Sequence, residues 1–563
     1  MSGITGITGT TGTSSAPQAP QVLIVGAGPV GLSAAHELAR HGVRVRLVDA
    51  AQGPATTSRA LANHARTLET YDQMGVLDEL LARGQRVEHF TLHQNGRRLI
   101  RFDTDYSRLP TRFPFTLMVD QVITEEVLRA AASRYGVDVE WGVRLTEFED
   151  TGAGVTARLA HADGRVETVA ADWLVGCDGG HSTVRKQLGI DLVGDSSETW
   201  LIADAVVHCD LPRDSIHWMR TPRGTVMMVP FPDPGKWRLL DTAETSYGGD
   251  DAMVARRFAE KIGTGIGRPV RVEEPSWVSV FTIQQRMIPR MRAGRCFLAG
   301  DAAHVHSPAS GQGMNTGVQD AVNLAWKLAA VVRGEAAESV LDSYGPERVP
   351  VGAELLRSTG MATALVQLRS RTAAAALRTV FTVLRTLRPV KSRIQRKIMG
   401  GMSALGLHYT DGLLAAAEAS GAPADGPVPG TRVVRVTAAG LAASEGWRHF
   451  LDELRRPGWT LLAADADTAG LDALREIARG YPVRVRTLDG TRDTGGDGPV
   501  DGPLPLPDPG GLLRAALGLT HGGWVLVRPD GYTAATGPSV SARPPGPVLD
   551  GLGVLAAVGV SAL

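Results

Sequence analysis

An α/β protein of more than one domain is what this sequence predicts, and three observations carry the prediction. The chain has 563 residues, too many for one hydrophobic core of ordinary size. Close to its start, QVLIVGAGPVGLSAAHELARHGVRVRLVDA runs from an apolar strand through a glycine turn into an amphipathic helix and a second strand. At the other end, from about Gly430 to Leu563, apolar runs of strand length (WTLLAAD, PVRVRTL, GWVLVRPDGY) alternate with helical ones (LDALREIARG, LLRAALG).

Composition excludes several classes of partner. Lys plus Arg total 59 and Asp plus Glu total 59, so the formal charge is zero and no global field draws nucleic acid or an anionic membrane. The three cysteines, Cys177, Cys209 and Cys296, are too few and too scattered for a disulfide framework or a zinc site, and no metal is expected. A cytoplasmic enzyme acting on a small molecule fits that balance. Residues 1–20, MSGITGITGTTGTSSAPQAP, have neither a basic start nor an apolar run, and read as a disordered lead-in rather than a signal peptide or anchor.

The first ordered segment places Gly26, Gly28 and Gly31 as G-x-G-x-x-G between the strand 21–25 and a helix over 32–41; a second strand, 43–48, closes on Asp49. Gly26 permits the tight turn, Gly28 lets backbone approach a pyrophosphate, and Gly31 allows close helix–strand packing. The helix start faces the phosphates and Asp49 suits ribose hydroxyls, so the spacing predicts a Rossmann-like dinucleotide site. A second glycine cluster, GTGIG at 263–267, follows a helical pattern rather than a strand and is expected to be a loop.

Two more strand-to-turn junctions follow: a strand ending at Val175 runs into GCDGGHSTVRKQLG, and a strand over 295–299 runs into GDAAHVHSPASGQGMN, Gly300 to Asn315. With GAGPVG, CDGGHSTVR (Asp178, Gly179, Ser182, Arg185) and GDAAHVHSP (Gly300, Asp301, His304, Pro308) in this order, the stretch from about Val22 to Leu328 resembles the class A FAD-dependent aromatic hydroxylases, the phenol and para-hydroxybenzoate hydroxylase group, and especially its members acting on aromatic polyketides. The resemblance implies an FAD-binding domain of para-hydroxybenzoate hydroxylase type, a β-sheet substrate domain and a C-terminal thioredoxin-like α/β domain.

It also implies roles for residues. Asp301 meets the ribityl hydroxyls, and Pro308, Gly311, Gly313, Met314 and Asn315 follow it along the flavin. Val318, Val322, Ala325 and Leu328 repeat at helical spacing, so a helix is expected from near Asn315, its positive end toward the pyrimidine edge where reduction places negative charge. Arg59 in TTSRALANHARTLETYDQMG matches an arginine near the flavin, a surface arginine being the alternative. Gln121 in LMVDQVITEEVL matches a residue at the ribityl chain, a helix cap being the alternative. Asp178 and Arg185 serve FAD and the nicotinamide nucleotide in the family, or form a structural ion pair. No second nucleotide fingerprint occurs, so NADPH or NADH, undistinguished here, is expected to bind transiently, with O₂ as co-substrate.

The expected boundaries are 21–193 and 281–357 for the FAD-binding domain, with segments near 85–120 joining the substrate domain, and 194–280 for the substrate domain. Within the latter, β-rich runs between Pro and Gly turns supply Trp218, Met219, Met227, Met228, Phe231 and Trp237 for an apolar pocket, with His217 and Arg220 to orient a phenol; His217, Trp218, Met227 and Phe231 are the substrate candidates. Residues 358–418 read as a helical connector with a basic face (Arg378, Arg385, Arg388, Lys391, Arg393, Arg396, Lys397) interrupted by Pro389, and 419–430 as a linker. Residues 431–563 contain no cysteine, which excludes thiol redox chemistry there and leaves packing or oligomer contact, a homodimer included.

The functional expectation is an FAD-dependent monooxygenase that hydroxylates a bulky phenolic, polyketide or indole-type molecule through a flavin C4a-hydroperoxide, in bacterial secondary metabolism or aromatic catabolism. Epoxidation and Baeyer–Villiger insertion stay open on the same scaffold, and a non-catalytic FAD-binding protein is the reading from another class. The catalytic base is unassigned, with His64, His217 and His306 the available imidazoles. A halogenase is disfavoured because no WxWxIP motif occurs.

Overall fold

The computed structural model of the chain describes residues 19–306, 311–366, 388–416, 426–489, 503–519 and 522–556. Pro308, Arg378 and Arg385 lie outside the described residues, as do most of residues 1–20 and of the 419–430 linker.

Three of the five sheets formed by the described residues organise the molecule. The first has six strands in the order Arg292–Ala293, Cys296–Leu298, Trp173–Gly176, Val22–Val25, Val45–Asp49, Val139–Trp141. All neighbours are parallel except the first pair. Val22, Leu23, Ile24, Leu174 and Val175 are entirely buried, as the continuous apolar runs of a sheet covered on both faces require. Helix α1 (Pro29–Arg40) packs between α3 (Gln121–Ser133) and α5 (Gly313–Val332), while α2 (Ala65–Met74) lies against α5. Helix α5 begins two residues earlier than its apolar spacing announces, because Gly313 and Met314 already have helical conformation.

The second sheet has nine strands. Along its main path run His304–Val305, Trp277–Met287, Val193–His208, Lys236–Asp241, Gly224–Pro230, Ser215–Thr221, His89–Gln94 and Arg97–Asp103, with Arg271–Val272 pairing at the side. It thus draws a hairpin from residues 89–103 and extends its long strands on both sides of 194–280. Helix α4 (Asp251–Ile266) covers one face. The GTGIG cluster expected as a loop is the last turn of this helix: Gly267 caps it at φ +79°, and a Cβ on Gly265 would sit 2.8 Å from Met219, so glycine lets the helix approach the sheet.

Helix α6 (Tyr344–Val366) crosses behind α5, and α7 (Arg388–Ser403) lies on the edge hairpin. Pro389 lies at the edge of the described residues, next to the undescribed 367–387, so the expected interruption there falls outside what the structure describes. Ile394 packs on Ile100 and Phe102, and Lys391 and Arg396 face Asp103 and Asp105, so these two charges of the basic face are paired locally.

The third sheet runs Leu504–Pro507, Val483–Asp489, Trp459–Ala464, Gly523–Val527, Thr533–Gly537. Its first three strands are parallel and the last two antiparallel, with α8 (Glu445–Leu454) and α9 (Thr468–Gly480) alongside, which is the strand order of a thioredoxin-like unit. Its core continues into the first unit: Trp326 of α5 meets Trp459 edge to face at 5.5 Å.

Candidate active site

Parallel strands place the turns that follow them at one end of a sheet. The turns after Val25, Gly176 and Leu298 therefore emerge side by side, and the glycines measure how closely. A Cβ on Gly26 would lie 2.4 Å from the Cys177 carbonyl oxygen and 2.9 Å from the Asp178 nitrogen. One on Gly300 would lie 2.7 Å from Val30, and one on Gly317 of α5 would lie 3.0 Å from the Gly300 Cα. Arg185 joins the second turn to the third, donating to the Ala302 carbonyl at 3.2 Å and the Gly180 carbonyl at 3.0 Å. The three turns are one assembly.

Within it, two kinds of glycine separate. Gly31 is for packing, since a Cβ there would come within 1.8 Å of the Gly26 carbonyl oxygen. Gly28 and Gly179 face open space, with nothing within 4 Å of an added Cβ. Gly28 precedes α1, which has no side-chain cap and no acidic residue in its first turn, so its N–H groups and positive end are left for an anion. Asp49 organises this turn: Oδ2 accepts from Ala27 N at 2.7 Å and Oδ1 from Ala51 N at 2.8 Å.

The aspartates divide their oxygens similarly. Asp178 Oδ2 accepts from Thr183 N at 2.7 Å and Val184 N at 3.2 Å, whereas Oδ1 is buried with no hydrogen-bond partner among the described residues. Asp301 is open to solvent by area yet deep within the protein mass, the position of a side chain on a cleft floor. That loss of solvation raises its carboxyl above the usual aspartate value against the opposing pull of His304 and Arg59. A buried acceptor without a donor, an acid on a cleft floor, two open glycines and an uncapped helix start together fit a ligand carrying phosphates and hydroxyls.

Several sequence-predicted residues are engaged in building the site's walls. Asn315 Oδ1 accepts from His64 N at 2.8 Å, and its Nδ2 donates to the carbonyls of Ala62 and Gly311 at 2.8 and 2.7 Å, stitching the 62–64 segment to the start of α5. Gln121 Oε1 accepts from Ala60 N and its Nε2 donates to Glu125, both at 2.8 Å, while the cap of α3 is Asp120. The Arg59 side chain is exposed, and its carbonyl accepts from Arg238 at 2.8 Å. Gly311 has φ +63° and faces Ala62 and His64; Gly313 faces the His306 ring; Met314 leans on the main core.

The nine-stranded sheet corrects the substrate assignments. Side chains alternate along a strand, and Trp218 pairs with Met227 while His217 pairs with Met228. Trp218, Met227 and Phe231 share the face toward Leu61 and Met118, with Trp200, Trp277 and Phe281. Met219, Met228 and Trp237 face α4 instead. His217 is on that side too, 1 % exposed, its Nδ1 taken by His93 Nε2 at 3.1 Å and its Nε2 by the Pro212 carbonyl at 2.9 Å. It is a core histidine, out of reach of a ligand on the Trp218 face.

Of the remaining imidazoles, His64 faces Thr116 Oγ1 at 3.1 Å. His306 stacks on His304 with centroids 5.0 Å apart, and among the described residues no side chain bonds to its ring nitrogens. Burial, with His304 alongside, pushes its pKa down to about 3, so it is neutral near pH 7. Sequence reasoning missed Arg238, which grips Asp204 with two 2.8 Å bonds and also holds the carbonyls of Ser58 and Arg59, and it missed Asp320 beneath the third turn. Neither carries a motif or spacing signal.

Beside the second turn lies a cleft of about 370 Å³ lined by His181, Arg185, Lys186, Gln284 and Arg286 among others. Among the described residues no cluster of His, Cys, Asp and Glu is arranged to hold a metal, and no helix is long and apolar enough to cross a membrane.

Comparison with known proteins places this geometry. The family described as FAD binding domain matches residues 19–359. The 6-methylpretetramide 4-monooxygenase of Streptomyces rimosus is 55% identical over 516 residues, 92% of this chain and 90% of that protein. Pentachlorophenol 4-monooxygenase of Sphingobium chlorophenolicum is 31% identical over 526 residues, 91% of this chain and 93% of that protein. Among solved structures, the flavin-dependent monooxygenase PieE in complex with FAD and substrate superposes with a TM-score of 0.75 at 25% identity, covering 96% of this chain and all (100%) of that one. Three converging turns, a cradle fit for phosphates and hydroxyls, and these likenesses agree: the chain belongs to the class A FAD-dependent aromatic hydroxylases and is a monooxygenase.

Proposed function

We propose that this protein hydroxylates a fused-ring phenolic polyketide at the expense of O₂ and a reduced nicotinamide nucleotide. The observation that carries the reading is that the buried aromatic face of Trp218, Met227 and Phe231 abuts the three-turn cradle through Ala62, which packs on that face and lies 2.8 Å from where a Cβ on Gly311 would sit. Flat polycyclic ligands are held by such surfaces of aromatic and thioether side chains. The 55% likeness to a protein named for 4-hydroxylation of 6-methylpretetramide supports a tetracyclic substrate class.

Bound FAD supplies the two-electron reduction by nicotinamide and the activation of O₂. The chain's own residues do the rest. The open N–H groups around Gly28 receive the pyrophosphate, and Asp178 Oδ1 and Asp301 accept from hydroxyls. The start of α5, uncapped and without an acid in its first turn, sets a positive end beside Gly311 and Gly313. His306, uncharged, offers one N–H and one lone pair there without adding a competing cation. The Trp218 face keeps water from the ring to be oxidised. The cleft lined by Arg185, Lys186 and Arg286, with Asp191 the one acid among the described residues of its wall, is the proposed landing place for the phosphates of the reductant. In this division of labour residues 21–193 and 281–357 hold the cofactor and 194–280 roof the substrate.

The test is turnover. With FAD, NADPH or NADH and isotopically heavy O₂, a panel of tetracyclic phenols is expected to accelerate nicotinamide oxidation and to yield a product carrying one labelled oxygen. FAD binding without such acceleration by any member would support the non-catalytic reading, and oxygen inserted into a ring C–C bond would support Baeyer–Villiger chemistry.

A further inference from the structure

The C-terminal unit presents a turn, Arg528-Pro529-Asp530-Gly531-Tyr532, that is buried against the first unit, with Gly531 at φ +78° and so close to α2 that a Cβ would fall 2.6 Å from Gln73. Arg528 and Asp530 are 1 % and 4 % exposed. We propose that these two are positioning residues of the flavin site, completing a buried ion network that fixes the carboxylate of Asp320 beneath the Gly300 turn.

The network can be followed atom by atom. Arg528 grips Asp530 through Nε and Nη2 at 3.0 and 2.6 Å, and grips Glu347 of α6 through Nη1 and Nη2 at 2.7 and 2.9 Å. Glu347 Oε2 also accepts from Lys327 and Asn323 of α5 at 2.8 and 2.7 Å, which ties α6 to α5. The next residue of α6, Arg348, donates to Asp320 Oδ1 at 2.7 Å, to the Thr316 carbonyl in the first turn of α5 at 3.1 Å, and to the Tyr409 hydroxyl at 2.9 Å. Asp320 Oδ2 accepts from Gly300 N at 3.1 Å and faces His304 Nε2 at 2.6 Å. The Tyr409 ring returns to the turn, 4.6 Å from Tyr532 and 5.1 Å from the Arg528 guanidinium.

Two features give this arrangement consequence for the cofactor and not for stability alone. Its inner end is the backbone nitrogen of Gly300, next to the acid on the cleft floor, and the carbonyl of Thr316 at the helix start that faces the cleft. Its outer end belongs to a unit with no side chain in the cradle described above. Buried charges hold a geometry only while every partner is present, because removing one leaves the others uncompensated. Loss of Arg528 therefore leaves Glu347 held by Lys327 and Asn323 alone and Asp530 without its cation, and the resulting shift of α6 lets Arg348 and Asp320 relax from the Gly300 turn.

The inference rests on FAD binding and not on the substrate proposed above, so its failure is separable from failure of that reading. The experiment titrates FAD into full-length apoprotein by flavin fluorescence, records the visible circular dichroism of the bound flavin, and follows melting of the apoprotein. Arg528→Met is expected to weaken FAD binding about tenfold or more in the folded fraction and to alter the flavin dichroism, with partial recovery in Arg528→Lys. Tyr409→Phe, which removes one hydroxyl and hardly any volume, is expected to weaken FAD binding about threefold with a fall in melting smaller than that of Arg528→Met, and it decides the matter if Arg528→Met does not fold. Arg455→Met breaks a different contact of the same unit, the 2.6 Å pair with Asp72, and is expected to lower melting while leaving FAD affinity intact. Wild-type affinity and dichroism in both Arg528→Met and Tyr409→Phe would reduce the network to scaffolding and overturn the proposal.

Discussion

The start of α1 beside the first sheet and the starts of α8 and α9 beside the third solve the same structural problem in opposite ways. Helix α1 starts at Gly28 with no capping side chain and open space over its first turn. In the C-terminal unit, Ser444 caps α8 by accepting from Trp447 N at 3.1 Å, and Asp467 caps α9 by accepting from Gly470 N at 2.7 Å and from Ser541 at 2.8 Å. A helix that satisfies its own donors is finished as a structural part; one that leaves them free has room for a ligand. With the same α/β grammar, the missing cap marks α1 as a helix start that can bind, whereas α3 of the same unit, capped by Asp120, is finished as α8 and α9 are.

Four substitutions would break or sharpen that contrast. Gly31→Val forces a side chain onto the Gly26 carbonyl and is expected to destabilise the first unit by about 3 kcal/mol or more in urea unfolding. Gly28→Leu, at an unstrained φ of −72°, leaves the fold alone. It is expected to lower FAD affinity about 100-fold, about 2.7 kcal/mol, with apoprotein melting unchanged; normal affinity would show that the open helix start is not the phosphate seat. Asp49→Asn replaces one acceptor of the glycine turn by a donor facing an N–H, and about a tenfold loss of FAD affinity is expected by fluorescence titration. The smallest effect belongs to the closed side: Ser444→Ala removes a cap at a cost of about 1 kcal/mol in denaturant unfolding, with no change in FAD affinity.

What the sequence disclosed was local. Three glycine turns after three apolar strands are legible because strand, turn and helix starts are written in consecutive residues, and their convergence follows once the strands are parallel neighbours. Asp49 was legible as an acid at a strand end, but its bonds to Ala27 and Ala51 were not. His217 was misplaced by grouping residues by type, although strand parity alone puts it opposite Trp218. GTGIG was misread because glycine in a helix weakens the helical signal where close packing on Met219 repays it. His304, Asp320, Arg348 and Arg528 come from four elements, and no spacing rule ties charges that meet only after α5, α6 and the C-terminal turn have docked.

The strand order of the first sheet also sets a timetable. Val22–Val25 leaves the ribosome early, but its partner on one side, Trp173–Gly176, is made about 150 residues later, and the next strand toward that edge, Cys296–Leu298, later still. Pairing over such separations is slow, and the waiting apolar segment is exposed to misassociation meanwhile. The nascent N-terminal third of this protein is thus a natural client for a chaperone, and expression at reduced temperature or with added holdase capacity is expected to raise the yield of soluble protein.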